Sequence, residues 1–133
     1  MKTMEMFIKN ESKYSVEQTV EKIISALENT KWNVLHMHHL HNSLSKHGYN
    51  VPPVTVIEVC RPDYSVQMLS LDEQRIYSSL MPCRISVYDT NEGKVYISRM
   101  NSGALAAQAG GITEKVMTLA FSDIEQILEP LVK

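Results

Sequence analysis

The sequence predicts an α+β fold, with two long helices on one face of a curved, largely antiparallel sheet. Two long segments carry apolar residues at helical spacing, extended apolar runs stand before and between them, and a turn sequence joins two of those runs late in the chain. Runs joined by a short turn pair as antiparallel strands, and an amphipathic helix needs an apolar surface to cover. The predicted order is strand, helix, strand, short helix, strand, short helices, strand, strand, helix.

The first strand and the first long helix are predicted from the opening of the chain. Residues Thr3 to Lys9 alternate apolar and more polar side chains, which is the period of a half-buried strand. Ser15 and Gln18 form a capping box, in which each side chain satisfies a free backbone amide of the first helical turn. The apolar side of the helix that follows consists of Val16, Val20, Ile23, Ile24 and Leu27.

The second strand is predicted over Trp32 to Leu40, and both of its faces carry apolar groups. Regular alternation assigns one face to Trp32, Val34, His36, His38 and Leu40, and the other to Leu35, Met37 and His39. A single helical turn is expected over Asn42 to His47. It ends at Gly48, since glycine adopts positive φ at little cost.

The middle of the chain predicts a third strand and then short helices. Val54 to Cys60 is rich in β-branched residues, which favour strand. A short helix is expected after Pro62, and Ser70 to Glu73 forms a second capping box ahead of another short helix.

The last part of the chain predicts a hairpin and the second long helix. Arg84 to Asp89 and Lys94 to Met100 are strands joined by a turn that contains asparagine and glycine. The small residues from Asn101 to Gly111 indicate a loop with room for one helical turn. Ile112 to Leu131 is amphipathic, and a third capping box at Ser122 to Glu125 suggests a break within this helix.

Composition and charge narrow the class of protein. Of 133 residues, 44% are hydrophobic and 21% are charged, as in an ordinary globular protein, and we expect one domain over residues 1–133. The net charge of -2 and the scattered basic residues predict no nucleic-acid partner. No apolar run is long enough to span a membrane, and the N-terminus lacks the features of a signal peptide. We therefore expect no membrane association and a cytoplasmic location.

The two cysteines mark the most specific candidate site. Cys60 closes the third predicted strand, and Cys83 opens the fourth. If these strands are antiparallel neighbours, both sulfurs reach the same rim of the sheet. Arg61 and Arg84 stand beside the two cysteines, and a nearby guanidinium lowers the pKa of a thiol. Alternation, however, sends Arg84 to the face opposite Cys83.

Three stretches of the chain resemble the domain-of-unknown-function 302 (DUF302) family. They are residues 56–62 (VIEVCRP), 80–88 (LMPCRISVY) and 92–101 (EGKVYISRMN), and residues 15–20 and 32–35 resemble the start of that family. The resemblance implies a β-α-β(4)-α core of the TATA-binding-protein-like type, and it implies no activity. Family members resembling this chain carry acidic and apolar residues in the second strand, where this chain has HMHHLH at residues 36–41.

Several roles remain open for the cysteines and histidines. The cysteines can be small buried hydrophobes, a redox pair or ligands, and a redox pair needs Cα atoms about 4.4 to 6.8 Å apart. His36 and His38 project to one face of a strand, and with Cys60 and Cys83 they would make a Cys2His2 metal set. The cysteines lack the short spacing of common zinc modules, so a solvated histidine cluster is the simpler interpretation.

The sequence names no reaction, and it lacks the phosphate-loop, dinucleotide, zinc-protease and serine-hydrolase motifs. The leading hypothesis is a homodimeric binding module with a cleft for a small molecule near the rim that Cys60 and Cys83 share. Arg61, Arg84 and Asn101 are further candidate binding residues. The alternatives are a redox protein that uses the two thiols, and a metal or heme carrier that uses the cysteines with His36 and His38.

Overall fold

The computed structural model describes residues 5–133, and its elements follow the predicted order. The strands are β1 (Phe7–Glu11), β2 (Asn33–His39), β3 (Val54–Cys60), β4 (Cys83–Asp89) and β5 (Val95–Met100). The helices are α1 (Val16–Leu27), α2 (Leu40–Ser45), α3 (Pro62–Leu69), α4 (Ser102–Ala106) and α5 (Gly111–Leu128). Two 3₁₀ segments, Asp72–Leu80 and Glu129–Leu131, complete the order.

The five strands form one open, antiparallel sheet in the order β1-β5-β4-β3-β2. This arrangement confirms the predicted α+β class. The β4–β5 hairpin is also confirmed, since Tyr88 pairs with Tyr96 and the turn between the strands uses Gly93 at a φ of 80°. Glycine suits that turn because it adopts positive φ without a clash.

The hydrophobic core lies between one face of the sheet and the two long helices, α1 and α5. Alternation along β3 and β4 sends Ile57, Val59, Ile85 and Val87 to this face, and each of them is fully buried. The helices contribute their apolar stripes, including Ile23 and other residues of α1 and α5. We call this side of the sheet the helix face, and the other side the open face.

Two of the three capping boxes were wrong. Ser15 does cap α1, because its Oγ accepts the Gln18 N–H at 3.1 Å. The second segment begins after Leu71 as a 3₁₀ helix without a side-chain cap. Helix α5 passes through Ser122 unbroken, because the buried stripe continues from Ala120 to Ile124 and packing outweighs the local capping signal.

The faces of β2 differ from the prediction because the strand contains a bulge. The register shifts between Val34 and His36: Val34 pairs with Val59, whereas His36 pairs with Glu58. The extra residue at Leu35 therefore moves Val34 to the helix face, while His36 and His38 stay on the open face. Strand β1 begins at Phe7, and the predicted start at Thr3 and Met4 lies outside the described residues.

We expect Ile85→Ala to lower the free energy of unfolding by about 2 to 5 kcal/mol, because it removes a fully buried side chain from the core. Ile76→Ala is the matched control: this side chain is 72% exposed, and the change should stay within about 0.5 kcal/mol. Urea denaturation of both variants measures the difference. Equal losses would contradict the assignment of the core.

Candidate functional site

The two cysteines meet at one rim of the sheet, as the antiparallel prediction requires. Cys83 is the first residue of β4 and belongs to the helix face, and Cys60 is the last residue of β3, just ahead of α3. Val59 pairs with Cys83, so Cys60 lies one residue beyond that pair. Both thiols are free, and they line a small cavity of ≈ 30 Å³ together with Trp32 and Ser65. The Sγ of Cys60 is 3.2 Å from the Oγ of Ser65.

Burial makes the Cys83 thiol a weak acid. Removal from water raises its pKa from the ordinary value of a thiol to about 11, and the neighbouring Cys60 adds to the rise. A thiol with this pKa stays protonated near neutral pH, whereas nucleophilic and redox cysteines act as thiolates. This environment does not favour the dithiol alternative.

A larger cavity of ≈ 340 Å³ lies beside Cys83, at the point where β4 and β5 separate. The last β4–β5 pair is Ile85 with Arg99, so Cys83 and Arg84 pair with β3 but not with β5. The cavity therefore has walls from both faces of the sheet and from α5. Its apolar lining includes Phe7, Val56, Leu80, Pro82, Ile85, Met100, Met117, Ala120, Phe121 and Ile124.

Three polar residues line this cavity from the open face. Ser86 and Ser98 are cross-strand partners, and Arg84 lies beside them. The side chain of Arg84 is 55% exposed, and its Nε is 3.4 Å from an Oε2 of Glu58. The hydrogen bond from His38 to Glu58, 2.8 Å long, lowers the pKa of that carboxyl below its ordinary value, and Arg84 adds to the lowering.

Arg61 and Asn101 are engaged in contacts that support the fold. Arg61 donates to Asp63 and, at 2.8 Å, to Asp123 of α5, and its guanidinium stacks 4.0 Å from the ring centre of Tyr64. This arrangement ties the start of α3 to α5. Asn101 donates from Nδ2 to the Glu5 carbonyl at 3.2 Å, which anchors the chain ahead of β1.

Arg99 is a cavity residue that the sequence analysis missed. Its side chain is only 6% exposed and forms two hydrogen bonds of 2.7 Å to the carboxylate of Glu125 on α5. Pairing of this kind offsets the cost of burying the charge. The signal was present, because alternation from Val95 and Ile97 places Arg99 on the apolar face.

The predicted Cys2His2 set is not assembled. Within residues 5–133, no group of three or more histidine, cysteine, aspartate or glutamate side chains is placed to hold a metal ion. His36 and His38 do share a face, with ring centres 4.3 Å apart. His38 is bonded to Glu58 instead of facing the cysteines.

Comparison with known proteins agrees with this architecture. The family described as "Domain of unknown function DUF302" matches residues 8–131. The chain belongs to the DUF302 family. A crystal structure of an uncharacterized conserved DUF302 protein from Bacillus stearothermophilus is similar, with a TM-score of 0.76, 20% identity, and coverage of 96% of this chain and 95% of that chain. At this identity the likeness shows the shared fold alone. No curated protein matches the chain.

No helix in the described part of this DUF302 chain combines the length and apolar character needed to cross a membrane.

We expect Cys83 of this DUF302 chain to titrate near pH 11 when folded and near its ordinary pKa of about 8.5 when unfolded. The protonated thiol favours the folded state, so its contribution is complete below the unfolded pKa and is lost as the pH rises through about 11. Thiolate absorbance of a Cys60→Ser variant, followed with and without denaturant, measures both midpoints. Equal midpoints would show that the native thiol is solvated.

Proposed function

We propose that this DUF302 chain binds a small, largely apolar molecule with one acidic group, in the cavity where β4 and β5 separate. The observation that carries the proposal is the cavity itself. Its volume of ≈ 340 Å³ falls at the small end of the range of about 300 to 1,000 Å³ typical of ligand sites. A ligand of modest size therefore fits.

The apolar part of the ligand would contact the apolar lining of the cavity. Met117 and Phe121 of α5 line it together with Leu80 and Met100. Methionine adapts its shape to an irregular ligand, and an aromatic ring adds a large contact area. Cys83 would contribute as an apolar wall, because its raised pKa keeps the thiol neutral.

The acidic group of the ligand would lie on the open face. Arg84 is the cavity's exposed cation, and the hydroxyls of Ser86 and Ser98 stand beside it on adjacent strands. A guanidinium with hydroxyl donors is well suited to a carboxylate. Arg99 is less suited to this purpose, because it is buried and the carboxylate of Glu125 already balances its charge.

The first test uses an apolar, singly charged probe, anilinonaphthalene sulfonate, and its displacement by dodecanoate. We expect saturable binding of one probe molecule per chain and competition by dodecanoate. Ala120→Leu extends a buried side chain into the cavity and should weaken binding about tenfold or more. Ala26→Leu, at an exposed position of α1, is the matched control and should bind normally.

Circular dichroism of both alanine variants checks that they remain folded. Absence of saturable binding by the wild-type protein, or equal binding by the Ala120→Leu and Ala26→Leu variants, would refute the proposed site.

We expect Arg84→Gln to weaken dodecanoate binding about tenfold, because a charge-assisted hydrogen bond is lost. Binding of dodecanol, which has the same chain without the charge, should hardly change. Arg75→Gln is the matched control, since the two arginines have similar exposure, 54% for Arg75 and 55% for Arg84. Isothermal titration calorimetry gives both affinities. An equal loss for the acid and the alcohol would contradict the role of Arg84.

A further inference from the structure

We propose that pH sets the affinity of the cavity for an acidic ligand, because protonation of His36 and His38 offsets the carboxylate that lies beside Arg84. We call His36, His38, Glu58 and Arg84 the open-face charge cluster. The inference rests on the proposed function, since it concerns the acidic group that Arg84 would bind. Ionised Glu58 weakens the binding of that group, and protonated histidines strengthen it.

Strand pairing places the open-face charge cluster at the border of the cavity. Glu58 pairs with His36 on one side and with Arg84 on the other. His38 pairs with Val56, which lines the cavity as Arg84 does. Neighbouring strands lie about 5 Å apart, so Glu58 is one strand from Arg84 and the histidines are two strands away. Their charges therefore act on an anion at Arg84 over short distances.

The carboxylate of Glu58 lies between a histidine and an arginine. Its Oε1 is 2.8 Å from Nε2 of His38, and its Oε2 is 3.4 Å from Nε of Arg84. The side chain of Glu58 is 16% exposed, so water shields its charge only in part. The hydrogen bond from His38 lowers the pKa of this carboxyl below its ordinary value, which keeps Glu58 ionised at pH 5.5. The positive potential that Arg84 presents to a ligand is reduced accordingly.

The two histidines give the open-face charge cluster a variable charge. Their ring centres are 4.3 Å apart, and histidine is the side chain whose charge ordinarily changes between pH 5 and 8. With both imidazoles neutral, the charge of -1 on Glu58 offsets the charge of +1 on Arg84, and the sum is zero. With both imidazoles protonated, the sum is +2. An anion at Arg84 is therefore bound more tightly as the pH falls.

The neighbouring histidines are bonded away from the open-face charge cluster. His39 lies on the helix face, where its Nδ1 is 3.1 Å from Oγ1 of Thr55. The Nδ1 of His41, which begins the segment after β2, accepts the backbone N–H of Val54 at 3.0 Å. His36 and His38 are thus the histidines that share a face with Arg84.

The other charges near the cavity stay constant over this pH range. Lys9, on the open face of β1, lies 4.8 Å from the ring centre of Tyr96. Arg99 is paired with Glu125 on the helix side. Lysine, arginine and an ion-paired carboxylate keep their charge between pH 5.5 and 8, so they add no pH dependence.

The first test measures the affinity for anilinonaphthalene sulfonate at pH 8 and at pH 5.5, in a buffer of low ionic strength. The sulfonate stays ionised at both values. We expect binding to be about fivefold tighter at pH 5.5, as two unit charges about 10 Å from the anion would produce with little salt screening. Dodecanol, which has no charge, should bind equally at both values, and this controls for any change in the fold.

Histidine variants identify the source of the pH response. His36→Gln/His38→Gln should bind the sulfonate with the same affinity at both pH values. His47→Gln is the matched control, because His47 is exposed and lies outside the strands. This variant should keep the response of the wild type.

Glu58→Gln separates an electrostatic role from a structural one. At pH 8 it should tighten sulfonate binding about fivefold, because it removes a negative charge one strand from Arg84 and keeps the shape of the side chain. A residue that only supports the site would weaken binding when it is replaced. Glu28→Gln removes the same charge at an exposed position after α1, and it should bind as the wild type does.

Circular dichroism at both pH values verifies that the variants fold. Saturable binding with equal affinity at both pH values, a pH response that survives His36→Gln/His38→Gln, or weaker binding by Glu58→Gln would overturn the inference and leave the proposed function standing. Absence of saturable binding at either pH would refute the proposed function and the inference together.

Discussion

The antiparallel register of β3 and β4 is the constraint on which the rest of the structure depends. It pairs Ile57 with Ile85 at the centre of the core and Val59 with Cys83 at the rim. Because side chains alternate along a strand, a shift of one residue would put the two isoleucines on opposite faces of the sheet and turn one of them away from the helices. The same register brings the end of β3 beside the start of β4. One strand pairing therefore both builds the core and positions the candidate site.

The cavity arises because β4 extends two residues beyond the segment that pairs with β5. Cys83 and Arg84 are held by β3 alone, and the space beside them is closed by α5 instead of by a strand. Because side chains alternate along each strand, the two arginines that line this space lie on opposite faces of the sheet. Arg84 meets water on the open face, whereas Arg99 is buried on the helix face and needs Glu125 to balance its charge. Of the two arginines, Arg84 is the exposed one, at 55% against 6% for Arg99.

The helices cover the strands β3, β4 and β5 more fully than the edge strand β2. The strands β3, β4 and β5 pack on α1 and α5, and their inward side chains are buried. Strand β2 lies at the edge and is followed by a helix that buries nothing. The hydrophobic effect accounts for the first arrangement within one chain. The second leaves large apolar side chains of β2 and α2 exposed.

The sequence by itself determined the fold class, the order of the elements and the meeting of the two cysteines, because strand alternation, helical spacing and turn residues act over short distances. Val54 to Cys60 is the strand that its β-branched residues predict, and Ser15 caps α1 as its spacing predicts. Only the tertiary structure decided the bulge at Leu35, the unbroken α5 and the pairing of Arg99 with Glu125. These features depend on packing between segments far apart in the chain. Local alternation places Arg99 on the apolar face, but it does not identify Glu125 as its partner.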